Sequence, residues 1–341
     1  MYVVRPVELA DIAALEALAA VSMPGVHTLP KTREKIAASV ERSIASFAAH
    51  VDIPSEESYL FVLESDQGIV GTAAIFASAG SNGTYFSFRN DVIQQVSRDL
   101  NISHSVHALT LCSELTAYSQ LSSFYVRNME QAGLEAALLS RARLLFAVLA
   151  PQRFGDRFFV PLAGITDADG QSPFWDALGR KFFQMDFLDA ERVIGGARNR
   201  TLIVELMPHY PVYVPLLPGD AQAAMGQIHP SGALAFNLLT EEGFEADDYI
   251  DIFDGGPILQ AHKNSLRSFA GSMTRRVLDG VAPGRSGLKV NYAIASGTEQ
   301  RFRAVTFACD PLEAADTVGL PKQLLEALQV AAGDNVICVR I

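Results

Sequence analysis

The segment AAMGQIHPSGALAFNLLTEEGFE, residues 223–245, places one histidine, His229, between a Gly-Gln step and a proline at the head of an apolar run. An imidazole titrates near pH ~6.5 and can give or take a proton close to neutrality. The same residue, one step before Pro230 and two before Ser231, could instead satisfy an open amide where a helix starts. A second chemistry-bearing pair, Asp251 and Asp254 in YIDIFDGGP, ends a strand beside a Gly-Gly turn. Two carboxylates held there could grip a cationic group or could cap their own turn. Their spacing does not put both on one strand face, so at least one belongs to the turn. His209, in MPHYP, is a further proton carrier whose setting also fits a packed turn. His104 and His107 have no carboxylate or cysteine at ligand spacing, and no metal site is expected.

Several elements must position these groups. The opening YVVRPV reads as a strand, followed by a helix capped at Asp11 with Ile12, Leu15, Leu18 and Ala19 at helical spacing. A second helix is expected over about 32–50, with Ile36, Val40, Ile44 and Phe47 on one face. SYLFVLESDQGIVGTAAIFAS gives two apolar strands joined by an Asp-Gln-Gly turn. A strand at 122–126 then feeds a helix over about 130–150. PFWDALGRKFF (173–183) and AFNLLTEEGFE (235–245) each read as a helix closed by a left-handed Gly, with an aromatic re-entering the core. After about residue 260 short strands dominate: KVNYAIAS, RFRAVTFAC and NVICVRI.

Composition bounds the function. Of 341 residues, 49% are hydrophobic and 19% charged, which suits a globular protein of two domains or one large domain with an appendage. A net charge of −11 with no Lys/Arg-rich block argues against nucleic acid as a partner. The three cysteines are far apart and match no metal or redox spacing, so packed, reduced thiols and a cytosolic setting are expected. Arg5 and the acidic residues after it break up the N-terminal stretch where a signal peptide would be apolar, and no run reaches the ~18 apolar residues of a membrane span.

The opening VVRPVELADIAALEALA, the hairpin FVLESDQGIVGTAAI, the strand-to-helix unit at 122–150 and the helix followed by EGF together resemble the GNAT fold of acyl-CoA N-acyltransferases. SYLFVLE, SPFWDALGRKFF, VELMPHYPVY, MGQIHP and EEGFEADDYIDIFDGGP resemble the arginine N-succinyltransferase family of arginine catabolism. YFSFRND and LCSELTAYSQLSSFYV are most similar to its alpha subunits.

The resemblance implies an α/β fold, with a GNAT-like domain over 1–258 and a small β-rich C-terminal domain over 259–341. It implies transfer of a succinyl group from succinyl-CoA, a diffusible cosubstrate rather than a resident cofactor, to the α-amine of arginine or ornithine. His229 then corresponds to the proton donor, and Phe124, Tyr125, Val126 and Arg127 to the acyl-CoA side. Arg89, Asn90, Asp251 and Asp254 become candidates for binding the amine substrate. The setting implied is cytoplasmic, in a hetero-oligomer with a homologous beta subunit or in a homo-oligomer.

The chain departs from the fold's pattern at the pyrophosphate loop, Arg/Gln-x-x-Gly-x-Gly/Ala. Here VRNMEQAGLEAALL puts Leu134 and Ala136 where glycines belong, Gly133 one place early, and Glu130 as a like charge. Arg127, Arg141 and Arg143 remain as positive charge for the phosphates or the succinyl carboxylate. The departure leaves open a second reading, a non-catalytic GNAT-like partner that stabilises a catalytic sister chain.

Overall fold

The first strand, β1 (Val3–Pro6), alternates buried and half-buried side chains, as expected of a strand with one covered face. The computed structural model describes residues 1–21, 30, 32–129, 132–194, 200–280 and 289–341. In it Asp11 is not the cap of the first helix. It closes a short turn whose cap is Glu8, accepting the Glu8 amide at 2.8 Å and the Arg5 guanidinium at 2.8 and 2.9 Å. Helix α1 (Ile12–Val21) continues from it, and α2 (Arg33–Ala48) starts at Thr32, whose hydroxyl accepts from the Lys35 amide. The hairpin of β2 (Ser58–Ser65) and β3 (Gly68–Phe76) turns at Gly68, where φ of 94° suits glycine.

Next comes a long hairpin, β4 (Ser87–Ser97) with β5 (Ile102–Cys112), which the sequence patterns did not announce because its outer half interleaves Gln, Ser and His with isolated Val. Strand β6 (Ser119–Val126) leads through α3 (Leu134–Leu149) to β7 (Arg157–Pro161). The segment at 173–183 is two short helices, α4 (Pro173–Ala177) and α5 (Gly179–Phe183). Gly179 is therefore not a left-handed cap: a Cβ there would lie 2.2 Å from the Trp175 ring, and Gln184 takes the left-handed position. Helices α6 (Phe187–Ile194) and α7 (Arg200–Leu206), strand β8 (Val212–Tyr213) and helix α8 (Gly219–Ala224) follow. Helix α9 (Ala233–Glu242) does end on a left-handed glycine, Gly243, with φ of 112°.

After it come β9 (Glu245–Ile250), β10 (Pro257–His262) and α10 (Arg267–Ala270). The tail comprises β11 (Met273–Asp279), β12 (Val290–Ser296), β13 (Arg303–Cys309), β14 (Thr317–Leu320), α11 (Lys322–Leu328) and β15 (Asn335–Arg340). Among the described residues one mixed sheet runs β14-β11-β15-β12-β13-β1-β2-β3-β6-β7-β10-β9-β4-β5-β8. Only β6·β7 and β11·β14 are parallel in it. The residue 258/259 boundary falls inside β10, which pairs with β7 from Ile258↔Pro161 to His262↔Arg157. The tail joins the rest through β13 on β1, and packs its own core around Val277, Tyr292, Ile294, Leu320 and Leu328. Cys309 and Cys338 lie in that core, where burial pushes their thiols up to about 11 and about 12.

Helix α3 is enclosed from Ala136 to Ala147. Its Arg141 pairs with Glu242 at 3.1 Å and donates to the Arg340 carbonyl, while Glu242 accepts the Ser268 amide at 2.6 Å. One buried pair thus ties α3 to α9, α10 and β15. Burial pushes the Glu242 carboxyl up, partly offset by Ser268 and by Arg141. Removing one partner strands a buried charge, so Glu242→Ala should lower stability by about 3–5 kcal/mol. The joint change Arg141→Met with Glu242→Leu should be far milder, and denaturant midpoints would read both.

Candidate functional site

Strands β6 and β7 pair in parallel only at Ser119↔Phe158 and Gln120↔Phe159. Beyond those two contacts they diverge, and the sheet opens toward their carboxyl ends. On its other edge β6 slips register against β3 between Thr72 and Ala74, where Ser123 takes φ of 53°. This bulge kinks the strand and leaves an extra residue outside the ladder. Past it, Phe124 packs toward the α3 core and Tyr125 toward the α1 core, and Val126 is buried. The Arg127 amide is taken by the Val70 carbonyl at 2.7 Å, so only its exposed side chain is available. It lines a hollow with Asn128, Ser65, the N-terminal Met1 and Glu135.

The start of α3 differs from the expected loop. Ala136 is fully buried within the helix, so it faces the core rather than a phosphate, whereas Leu134 is exposed. Gly133 is the cap, and a Cβ placed on it would lie 3.7 Å from the Glu135 carboxylate. Glu135 thus sits beside the cap in the first turn, where a helix favours negative charge. Glu130, the like charge read from the sequence, lies outside the described residues.

His229 stands at the mouth of the splay. Its amide donates to the Ala163 carbonyl at 2.8 Å, and Ile228 bridges Gly164, just past the end of β7. The ring does both things that its sequence context allows. Nδ1 accepts the Ser231 amide at 3.2 Å and lies 2.7 Å from the Ser231 hydroxyl, capping the short turn before α9. An accepting Nδ1 places the proton of the neutral ring on Nε2, which the turn does not use. Ile228 of the histidine loop, Leu234 of α9 and Phe124 of the bulged strand all pack against the core that surrounds α3. His209 is exposed, beside a Tyr210 that is 86% exposed.

Asp251 and Asp254, expected at the amine substrate, are both buried, and three of their four oxygens accept backbone amides. Asp254 accepts Gly164 at 2.7 Å and Gly256 at 2.8 Å, and Asp251 accepts Phe253 at 2.7 Å. Gly226 donates to Gly255 at 2.8 Å. The approach is so close that a Cβ on Gly164 would lie 2.5 Å from the Asp254 carbonyl oxygen. The two carboxylates therefore brace the loops at 162–164, 226–229 and 251–256.

Arg89 and Asn90 lie on β4, separated from the splay by β7, β10 and β9 but beside β9, where Arg89 pairs with Tyr249, two residues before Asp251. Arg89 reaches Asp91 at 2.7 Å and also Glu114, which accepts the Tyr249 hydroxyl; Asn90 meets His107 at 3.0 Å. The Arg89 guanidinium is thus balanced by two carboxylates. Arg89, then Thr110, holds Asp91 below the usual carboxylate range, and the Tyr249 hydroxyl and Arg89 do the same for Glu114. Sequence reasoning missed the Ser123 bulge and the Glu135 carboxylate. Neither leaves a signal stronger than a Ser-Ser pair or an acidic first turn.

A splayed parallel pair, a bulged strand, a helix N-terminus and an imidazole whose Nε2 the turn leaves unused are parts that a group-transfer enzyme can use. Comparison with known proteins makes this specific. Residues 2–268 match the family model described as arginine N-succinyltransferase beta subunit, and residues 276–340 match that of its C-terminal domain. The chain is 45% identical over 343 residues to arginine N-succinyltransferase subunit alpha of Pseudomonas aeruginosa, covering 100% of both. It is 34% identical over 352 residues to the arginine N-succinyltransferase of Yersinia pseudotuberculosis, covering 100% of this chain and 98% of that one. The structure of arginine/ornithine succinyltransferase subunit AI from Pseudomonas aeruginosa superposes with a TM-score of 0.89 at 42% identity, over 100% of this chain and 98% of that one. The chain belongs to the arginine N-succinyltransferase family.

Two outcomes test the site's framework. Asp254→Ala orphans two buried amides and should cost about 1–3 kcal/mol for each. Arg89→Met should let Asp91 and Glu114 titrate closer to the ordinary ~4 in carbon-detected NMR. Because both folded-state values are depressed, the stabilisation they carry is present above the ordinary carboxylate pKa and lost as pH falls through the folded values. The variant should accordingly show a shallower loss of stability in acid.

Proposed function

We propose that the splay between β6 and β7 is the acyl-CoA site of a GNAT-like fold, and that His229 is the proton donor for succinyl transfer from succinyl-CoA to the α-amine of arginine. The observation that carries this reading is the His229 ring itself, tied by Nδ1 to Ser231 on a loop pinned to the end of β7, with Nε2 left over. Once the ammonium has lost a proton, its nitrogen attacks the thioester carbonyl. The developing oxyanion needs a fixed donor, and the amide spared at the Ser123 bulge is suited to it. Collapse breaks the C–S bond; the proton the nitrogen sheds on becoming an amide charges the ring, whose Nδ1–H then turns to the Ser231 hydroxyl, and Nε2–H of this doubly protonated ring goes to the departing thiolate, leaving the ring neutral again. Ornithine, which carries the same α-amine, is an alternative acceptor.

Succinyl-CoA enters and leaves as a cosubstrate. The partner proposed is a homologous beta subunit or a second copy, and the setting is cytoplasmic. Among the described residues no helix is long and apolar enough to cross a membrane. The Glu135 carboxylate over the start of α3 favours the second reading, in which this chain supports a sister subunit that binds CoA more tightly.

His229→Asn, which can keep the turn cap through its side-chain oxygen, should lower kcat and kcat/KM together by roughly 10²- to 10⁴-fold. The thermal midpoint should stay at the wild-type value; a fall in midpoint with kcat intact would reduce His229 to a capping residue. Glu135→Gln should tighten CoA binding in calorimetry by removing the charge that competes with the pyrophosphate. If succinyl transfer appears only when the sister chain is added, and Glu135→Gln does not change this, the supporting reading holds.

A further inference from the structure

Helix α3 carries two buried arginines with opposite circumstances. Arg141 has Glu242, whereas Arg143, 1% exposed, has no carboxylate within ion-pair distance among the described residues. Its guanidinium makes three long contacts to neutral acceptors: the Ser140 carbonyl at 3.3 Å, the Ser122 carbonyl at 3.4 Å and the Ser140 hydroxyl at 3.2 Å. The Phe124 ring covers it at 5.4 Å. Burial alone pushes its pKa down, to about 9, which still leaves it cationic at neutral pH. An isolated buried cation is strongly unfavourable unless a counter-ion joins it. A guanidinium offers five N–H donors in a planar fork that fits a carboxylate edge-on.

The elements around Arg143 say where that counter-ion would come from. Ser122 and Phe124 flank the Ser123 bulge on β6, and all three are half-buried at the splay. We propose that Arg143 is the donor-specificity residue of this enzyme, its guanidinium receiving the free carboxylate of the succinyl group while the thioester carbonyl sits at the bulge. The proposal rests on the splay being the donor site. Two methylenes separate the two carbonyl carbons of a succinyl group, a reach of about 4 Å. The Arg143 guanidinium lies within that reach of the bulge, 3.4 Å from the Ser122 carbonyl and covered by the Phe124 ring. Turning that ring aside exchanges a cation–π contact for a bidentate ion pair. An acyl group without the carboxylate leaves the cation buried and unpaired, so the same residue rejects neutral donors.

Donor affinity of the full-length chain can be measured by calorimetry with succinyl-CoA and with butyryl-CoA, its neutral counterpart of similar length. The unmodified chain should prefer succinyl-CoA. Arg143→Met, which keeps the volume and removes the charge, should weaken succinyl-CoA by roughly 10- to 100-fold while leaving butyryl-CoA unchanged. Its thermal midpoint should be no lower, since an unpaired buried cation has been replaced by an apolar side chain. Arg143→Lys, charged but without the fork, should keep part of the preference and serves as the second variant should Met disturb the fold. Equal loss for both donors, or a preference that survives Arg143→Met, overturns the proposal. So does a selective loss for arginine over agmatine, its decarboxylated analogue, because the carboxylate served would then belong to the amine. If neither donor binds the unmodified chain, the splay is not a donor site and the proposal falls with that reading.

Discussion

The carboxylate of Asp254 meets two glycine amides, Gly164 from the loop after β7 and Gly256 from its own turn, and the candidate site depends on that double contact. Gly164 bridges Ile228, and the next residue is His229, whose amide returns to Ala163. A charged acceptor held by two buried donors is stiffer than the neutral loop contacts around it. The imidazole therefore stands on a loop whose position is set two contacts away, by the Asp254 side chain. Small residues are obligatory along this path, because the backbone of Gly164 comes closer to the 254–256 turn than any Cβ would permit.

Helix α3 divides two tasks between neighbouring side chains. Arg141 reaches away from the splay to Glu242 and to the carbonyl of Arg340, binding the tail to the rest of the chain. Arg143 reaches toward the splay and lies under Phe124. A buried pair and a buried single cation on one helix differ physically in what they need: the first is complete within the fold, and the second is stabilised by an anion from outside. The helix is thereby both a structural axle and one wall of the proposed donor site.

At its N-terminus the same helix offers positive potential, and Glu135 answers it from within the chain. A carboxylate near a helix start favours the helix and repels a phosphate placed beside it. The family includes a protein called subunit alpha in Pseudomonas aeruginosa, 45% identical to this chain.

The regular elements were legible because they depend on local periodicity. The hairpin of β2 and β3, helix α2 with Ile36, Val40 and Phe47, and the Gly243 cap all follow from patterns a few residues long. His229 was legible for the same reason, since its neighbours Pro230 and Ser231 lie beside it in sequence. The β4–β5 hairpin was not, because its outer half has too few apolar residues to set a period. The surroundings of Asp251 and Asp254 were hidden on a different ground. Whether a carboxylate faces a guanidinium or a backbone amide is decided by what packs against it, and Gly164 is 90 residues from Asp254. By itself the sequence determined the mixed α/β class, the family and the turn that His229 caps. The tertiary structure alone decided which charges are satisfied from within, because pairing across the sheet and through α3 joins residues that no local pattern relates.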